Sequence, residues 1–205
     1  MHQHVVKSDG SKETIKLDKI TRRVRRMAKG LSHKHIVPVE VTRRVADSVV
    51  DGISTSEIDQ VIASEAARMV TVHPDYSILA ARILASRLHK TTSDSFSETI
   101  KEMYQFVNPE TGRPAPMVNK ELFDLANDPA TASRIDAEID HERDFNFDYF
   151  GWATFQKGYL KRFRDRVYER PQYLWMRVAL GIHGSDLESA FRVYHNMSQG
   201  NYTHA

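Results

Sequence analysis

A mainly α-helical fold with a small β element is predicted by three observations. Apolar residues recur at spacings of three and four along most of the 205 residues, the pattern of amphipathic helices. Ser, Asp or Pro stands where many of those runs begin, as helix starts require. One stretch alternates instead: two short runs flank Asp9-Gly10, the dipeptide that most readily forms a tight hairpin turn.

The hairpin pairs Val5-Val6 with Thr14–Leu17, where Ile15 and Leu17 pack while Thr14 and Lys16 stay wet. Asp18 reads as an N-cap, so a first helix starts at Lys19 and carries Ile20, Val24, Met27 and Leu31 on one face, with Gly30 near its stop. The other face holds Arg22, Arg23, Arg25, Arg26 and Lys29. Without interleaved aromatics, that face reads as solvated or partner-facing rather than as a nucleic-acid surface. A hairpin feeding a helix N-terminus brings Lys7 near Lys19, and free backbone N–H groups, a helix dipole and two ammonium groups are what a polyphosphate needs. A solvated hairpin face is the plainer reading of the same lysines.

Pro38 opens a second helix with Val41, Val45 and Val49 on one face, ending at Gly52. Ser54 and Glu57 have capping-box spacing and open a third through Ile58, Ile62, Ala66 and Met69. Thr55 and Asp59 fall one turn apart on the same side of it. His73-Pro74-Asp75 precedes a fourth helix, Tyr76 to about Leu88, apolar over most of its circumference and therefore central. Hairpin and four helices make a domain of residues 1–92, and the polar run Thr91–Ser95 marks the boundary to a second, helical domain of residues 93–205. There, helices are predicted through Phe96–Phe106, Leu122–Ala126 and Ile135–Ile139. Further helices are predicted after Pro171, with Leu174, Val178 and Ile182 on one face, and after Gly184-Ser185-Asp186. The aromatic cluster Phe145, Phe147, Tyr149, Phe150, Trp152 and Phe155 reads as packed core.

Composition excludes several functions. A formal charge of +2, from 29 basic and 27 acidic side chains, exerts no global pull on nucleic acid or membrane. Zero cysteines exclude disulfides, thiolate metal sites and thiol chemistry. No apolar run approaches the ~20 residues of a membrane span, so a cytoplasmic chain is expected. His2/His4 and His33/His35 lack further ligands at metal spacing. P-loop, Rossmann and nucleophile-elbow motifs are missing.

Ordered strings along the chain resemble a known family: Val6-Lys7, Asp9-Gly10, Glu13 through Thr21, Thr55 with Asp59, His73-Pro74-Asp75-Tyr76, Ile78–Arg82 and Leu88-His89-Lys90. They look like the ATP-cone, the allosteric nucleotide-binding domain of the large subunit of class I ribonucleotide reductase. The similarity continues through Asn108-Pro109, Pro116-Met117-Val118, Arg143-Asp144-Phe145, Tyr149-Phe150-Gly151, Glu169–Gln172, Gly181-Ile182-His183 and Thr203-His204-Ala205, and so covers essentially the whole chain. It implies a four-helix ATP-cone capped by a small sheet, then the all-α region that precedes a ten-stranded catalytic barrel. It also implies ATP as activator and dATP as inhibitor, with Mg2+, at Lys7, Ser8, Glu13, Thr14, Ile15, Lys16, Leu17, Asp18, Lys19, Thr55, Asp59 and Lys90. Lys19 and Lys90 suit phosphate; Thr55 and Asp59 suit sugar or base. Ser8 stands where the pattern usually has Arg, which removes one cation.

The implied partners are the catalytic remainder of the large subunit, the radical-generating small subunit and further large-subunit copies, with neither nucleic acid nor membrane. The family's reaction runs on cysteines, and this chain has none. It is therefore expected to regulate ribonucleoside diphosphate reduction, to carry no catalytic residue or redox cofactor, and to be inactive alone. A free-standing ATP/dATP sensor or oligomerisation module is the alternative. A DNA-binding repressor with an ATP-cone would carry a four-cysteine zinc ribbon, which is absent. In the family, Thr-His-Ala is followed by Ser or Thr and the first barrel strand. Truncation, a split gene or an N-extein would each end a chain here, with an interruption by intein, intron or gene split favoured.

Overall fold

The computed structural model describes residues 4–6 and 10–202, which are largely helical around small β elements. The chain forms two compact units. One comprises residues 1–87 with 145–154, the other 88–144 with 155–205.

The first unit opens with strand β1 (His4–Val6), antiparallel to β2 (Lys12–Thr14), Val5 facing Glu13. The turn between them includes Lys7, Ser8 and Asp9, which lie outside the described residues. β2 leads into helix α1 (Leu17–Met27). The helix starts two residues before Lys19, with Lys16 at the N-cap and no side-chain cap. Asp18 is thus not the cap. It lies inside the first turn, where its carboxylate meets the dipole and pairs with Arg22 one turn on at 3.1 Å. Because the strand stops at Thr14, Leu17 is a helix residue at the surface, 45 % exposed, and not part of a packed strand face.

Pro38 starts α2 (Pro38–Ser48) from its first position, where a missing N–H costs nothing. Gly52, at φ +82°, takes the left-handed turn that returns the chain to the sheet, and its N–H donates to His4 O at 2.9 Å. Strand β3 (Ile53–Ser54) then adds parallel to β1, giving the order β2-β1-β3. α3 (Thr55–Arg68) follows at once. A 3₁₀ turn at Met69–Thr71 leads to α4 (Asp75–Thr91), whose Leu79, Ala80, Ile83 and Ala85 are fully buried. α1 packs on α2 and α2 on α3. The segment 145–154 completes this unit: Arg82 donates to Phe145 O at 3.3 Å, and Tyr149 N–H donates to Ser77 Oγ at 3.0 Å.

The second unit contains α5 (Phe96–Tyr104), the ribbon β4 (Val107–Asn108) with β5 (Arg113–Pro114), α6 (Lys120–Asn127) and α7 (Ala132–Glu138). Helix α8 (Tyr149–Gly158), which begins in the segment of the first unit, is followed by the ribbon β6 (Arg162–Phe163) with β7 (Arg166–Val167). α9 (Pro171–His183) packs on α10 (Leu187–Ser198). A polar network lies inside this unit. Asp144, fully buried, accepts from the Gln172 backbone and side chain at 3.2 and 3.1 Å, and lies 2.7 Å from His89 Nε2.

Two apolar expectations fail. Ile182 is 64 % exposed and Phe150 80 %, although Trp152 beside it is buried. On α9, buried residues run continuously from Pro171 to Met176 and again at Ala179-Leu180, so the buried face has passed Ile182 by.

Candidate nucleotide site

The first unit is built so that two helix N-termini start from one small sheet, α1 behind β2 and α3 behind β3. Helix N-termini present unpaired N–H groups and partial positive charge. The two ends differ. At α3, Ser54 Oγ accepts from Glu57 N–H at 3.1 Å and Glu57 Oε2 accepts from Ser54 N–H at 2.8 Å, a complete capping box. At α1 no side chain caps the end.

Three residues predicted from sequence gather at the α1 end. Glu13 on β2 pairs with Lys19 at 2.8 Å and with Lys16 at 3.4 Å, both ammonium groups being more than half exposed. Two lysines against one carboxylate leave positive charge beside an uncapped helix start, the electrostatics that suit a polyphosphate. Thr14 and Lys16 are exposed, Ile15 is half-buried, and Leu17 and Asp18 lie on the outer side of the first turn.

Asp59 is placed differently from a simple companion of its helix end. It is 5 % exposed, and the Arg23 guanidinium grips it through Nε to Oδ1 at 2.5 Å and Nη2 to Oδ2 at 2.8 Å. Arg23 is correspondingly turned inward, not part of the solvated basic face expected of α1, and its Nη2 reaches Ser86 Oγ on α4 at 3.5 Å. Lys19 and Arg23 are four residues apart on α1; Thr55 and Asp59 are four apart on α3. The ion pair therefore joins the two helices one turn in from both N-termini. Lys19 and exposed Thr55 stand one turn nearer the ends.

Lys7 and Ser8 lie outside the described residues, and exposed Lys90, in the last turn of α4, falls in the second unit. Among the described residues no group of three or more His, Asp or Glu side chains could hold a metal ion. His35 of the His33/His35 pair stacks on His73, ring centroids 4.5 Å apart, and its Nδ1 lies 3.0 Å from Ser32 Oγ. His2 of the other pair lies outside the described residues.

Residues 3–91 match the ATP cone domain, and residues 145–205 match the all-alpha domain of ribonucleotide reductase. The large subunit of ribonucleoside-diphosphate reductase from Arabidopsis thaliana is 46 % identical over 202 residues, that of Schizosaccharomyces pombe 45 % over 201, and that of variola virus 41 % over 201. The chain belongs to the ribonucleotide reductase large-subunit family. Each alignment takes in 98 % of this chain but only 24–26 % of the relative, so the chain spans about a quarter of the length of the reductase subunits it matches.

Within the reductase cone, Arg23 is the residue that sequence reasoning misplaced. Helical periodicity puts it on the polar face of α1, and nothing local reveals a partner 36 residues away. The one usable signal was Asp59 itself, a carboxylate one turn into a helix whose flanking positions Ile58 and Ile62 are apolar.

Proposed function

We propose that this chain is the nucleotide-sensing region of a ribonucleotide reductase large subunit, taking ATP as activator and dATP as inhibitor, with Mg2+ as the triphosphate's counter-ion. The observation that carries the reading is the α1 start: an uncapped helix N-terminus flanked by Lys16 and Lys19, one turn from a buried carboxylate. The triphosphate lies against that end, with Lys7, Ser8 and the segment from Glu13 to Lys19 around it, and Lys90 as a further phosphate contact. Thr55 and Asp59 serve the sugar or base.

The match of residues 145–205 to a reductase domain favours a part in the reductase over a free-standing sensor. With no cysteine among its 205 residues, the chain supplies regulation and no thiol chemistry. The radical-carrying and electron-delivering cysteines belong to the catalytic remainder, which works with a radical-generating small subunit and further large-subunit copies on ribonucleoside diphosphates. The domain division at residues 92/93 is part of the same proposal.

Calorimetric titration of the full chain with ATP and with dATP tests the reading. Saturable binding of both is expected. Lys19→Ala should weaken each about tenfold, the worth of one charge-assisted contact at a half-exposed position. Absence of saturable binding by the unsubstituted chain overturns it.

A further inference from the structure

We infer that Arg23 is a positioning residue for the nucleotide site: it holds the Asp59 carboxylate in one orientation, aimed to accept a sugar hydroxyl, and ties that carboxylate to α4. The inference rests on the nucleotide reading above and adds to it a residue that touches no ligand.

Three features carry it. The first is geometry. Both Asp59 oxygens are gripped by the planar guanidinium fork, which fixes the plane of the carboxylate as a single ammonium could not. A carboxylate offers about four acceptor positions and the fork uses two, so pairing with Arg23 does not exhaust it. The second is burial. The side chains of Arg23 and Asp59 are 12 % and 7 % exposed. Buried ion pairs are poor devices for stability, because desolvation offsets their attraction and apolar residues of similar size often do as well. The third is position. Arg23 lies one turn beyond Lys19 on α1, and Asp59 one turn beyond Thr55 on α3, so the pair sits directly behind two proposed ligand contacts at once. A pair serving packing alone has no reason to fall behind both. The reach of Arg23 to Ser86 extends the same unit to α4.

A ligand's hydroxyl and its phosphates are thereby served by separate groups: Asp59, set by Arg23, for the sugar, and Lys19 with the α1 N-terminus for the phosphates. Inorganic tripolyphosphate has the phosphates and no sugar, which makes it the discriminating probe.

The experiment is calorimetric titration of the full chain and its Arg23→Gln variant with ATP and with inorganic tripolyphosphate, alongside thermal melts. The expected result is a fall of about tenfold or more in ATP affinity with tripolyphosphate affinity unchanged within about twofold, the loss of one oriented contact. Lys19→Ala should weaken both ligands. An equal fall for both ligands in Arg23→Gln, or unchanged ATP affinity, overturns the inference. If Arg23→Gln does not melt cooperatively, Arg23→Lys and Asp59→Asn carry the test. Each should lower ATP affinity selectively, and the double variant should lose no more than the worse single one, whereas additive losses overturn the coupling. Failure of the unsubstituted chain to bind ATP removes the nucleotide reading and this one with it. Failure confined to the Arg23 variants leaves the nucleotide reading standing.

Discussion

Tyr194 on α10 is fully buried, and its hydroxyl donates to Gln172 Oε1 at 3.0 Å while accepting from Asp140 N–H at 2.9 Å. Burial raises its pKa to about 12, with the Asp140 backbone donor pulling the other way. The folded value lies above the unfolded one of about 10, so the stabilisation is full below pH 10 and is lost as pH rises through 10 towards 12. Tyr194→Phe orphans two buried groups and should cost about 1–3 kcal/mol in urea unfolding at pH 7. It should also flatten the decline in stability above pH 10; an equally steep decline would assign that decline to other groups. The same residue shows what sequence hides. Tyr194 was legible as an apolar face residue of the last helix, whereas its two hydrogen-bond partners come from distant segments that no local pattern joins to it. Arg23 is the sharper case, since its partner Asp59 is what turns it from the polar face inward.

Among the elements, those with local causes were legible. The capping box at Ser54 and Glu57, the proline starts of α2 and α9, and the all-round apolar α4 were each readable within a few residues of sequence. β3 was not, because its two residues form a strand only where β1 supplies a partner. The start of α1 was misread for a related reason. Asp18 has the right chemistry for a cap, but the chain leaving β2 reaches helical geometry two residues before Lys19. The capping box gives a test at this scale. Ser54→Ala should destabilise the chain by about 1 kcal/mol, measured by thermal or urea unfolding. Hydrogen bonds from the Ser54 side chain and then its backbone hold the Glu57 carboxyl below its usual range. A depressed carboxyl pKa contributes stability above its unfolded value of 4.5 and loses it as pH falls. The Ser54→Ala deficit should therefore shrink on acidification below pH 4.5; a deficit independent of pH would place the cap's effect elsewhere.

At the scale of the whole chain, the compact units do not follow chain order, and residues 145–154 fold with residues 1–87. In that unit the short segment supplies Trp152, 1 % exposed and edge-on to Phe147 at 5.9 Å between ring centroids. It also supplies Phe145 O to Arg82 and Tyr149 N–H to Ser77 Oγ. A fragment of residues 1–92 keeps the sheet and α1–α4 but loses all of these contacts. Removing a buried Trp costs on the order of 3–5 kcal/mol, a large part of the 5–15 kcal/mol that holds a domain together. The fragment is therefore expected to unfold at lower urea than the same helices in the full chain, with weaker hydrogen-exchange protection at the buried amides of α4. Trp152→Ala in the full chain should reproduce most of that loss, which separates the missing segment from any effect of cutting the helix. Equal protection of α4 in fragment and full chain would show that residues 1–87 are self-sufficient. Lower protection would mean that nucleotide affinity measured on a cone cut at residue 92 understates that of the chain, because binding must then also stabilise helices that residues 145–154 would have held.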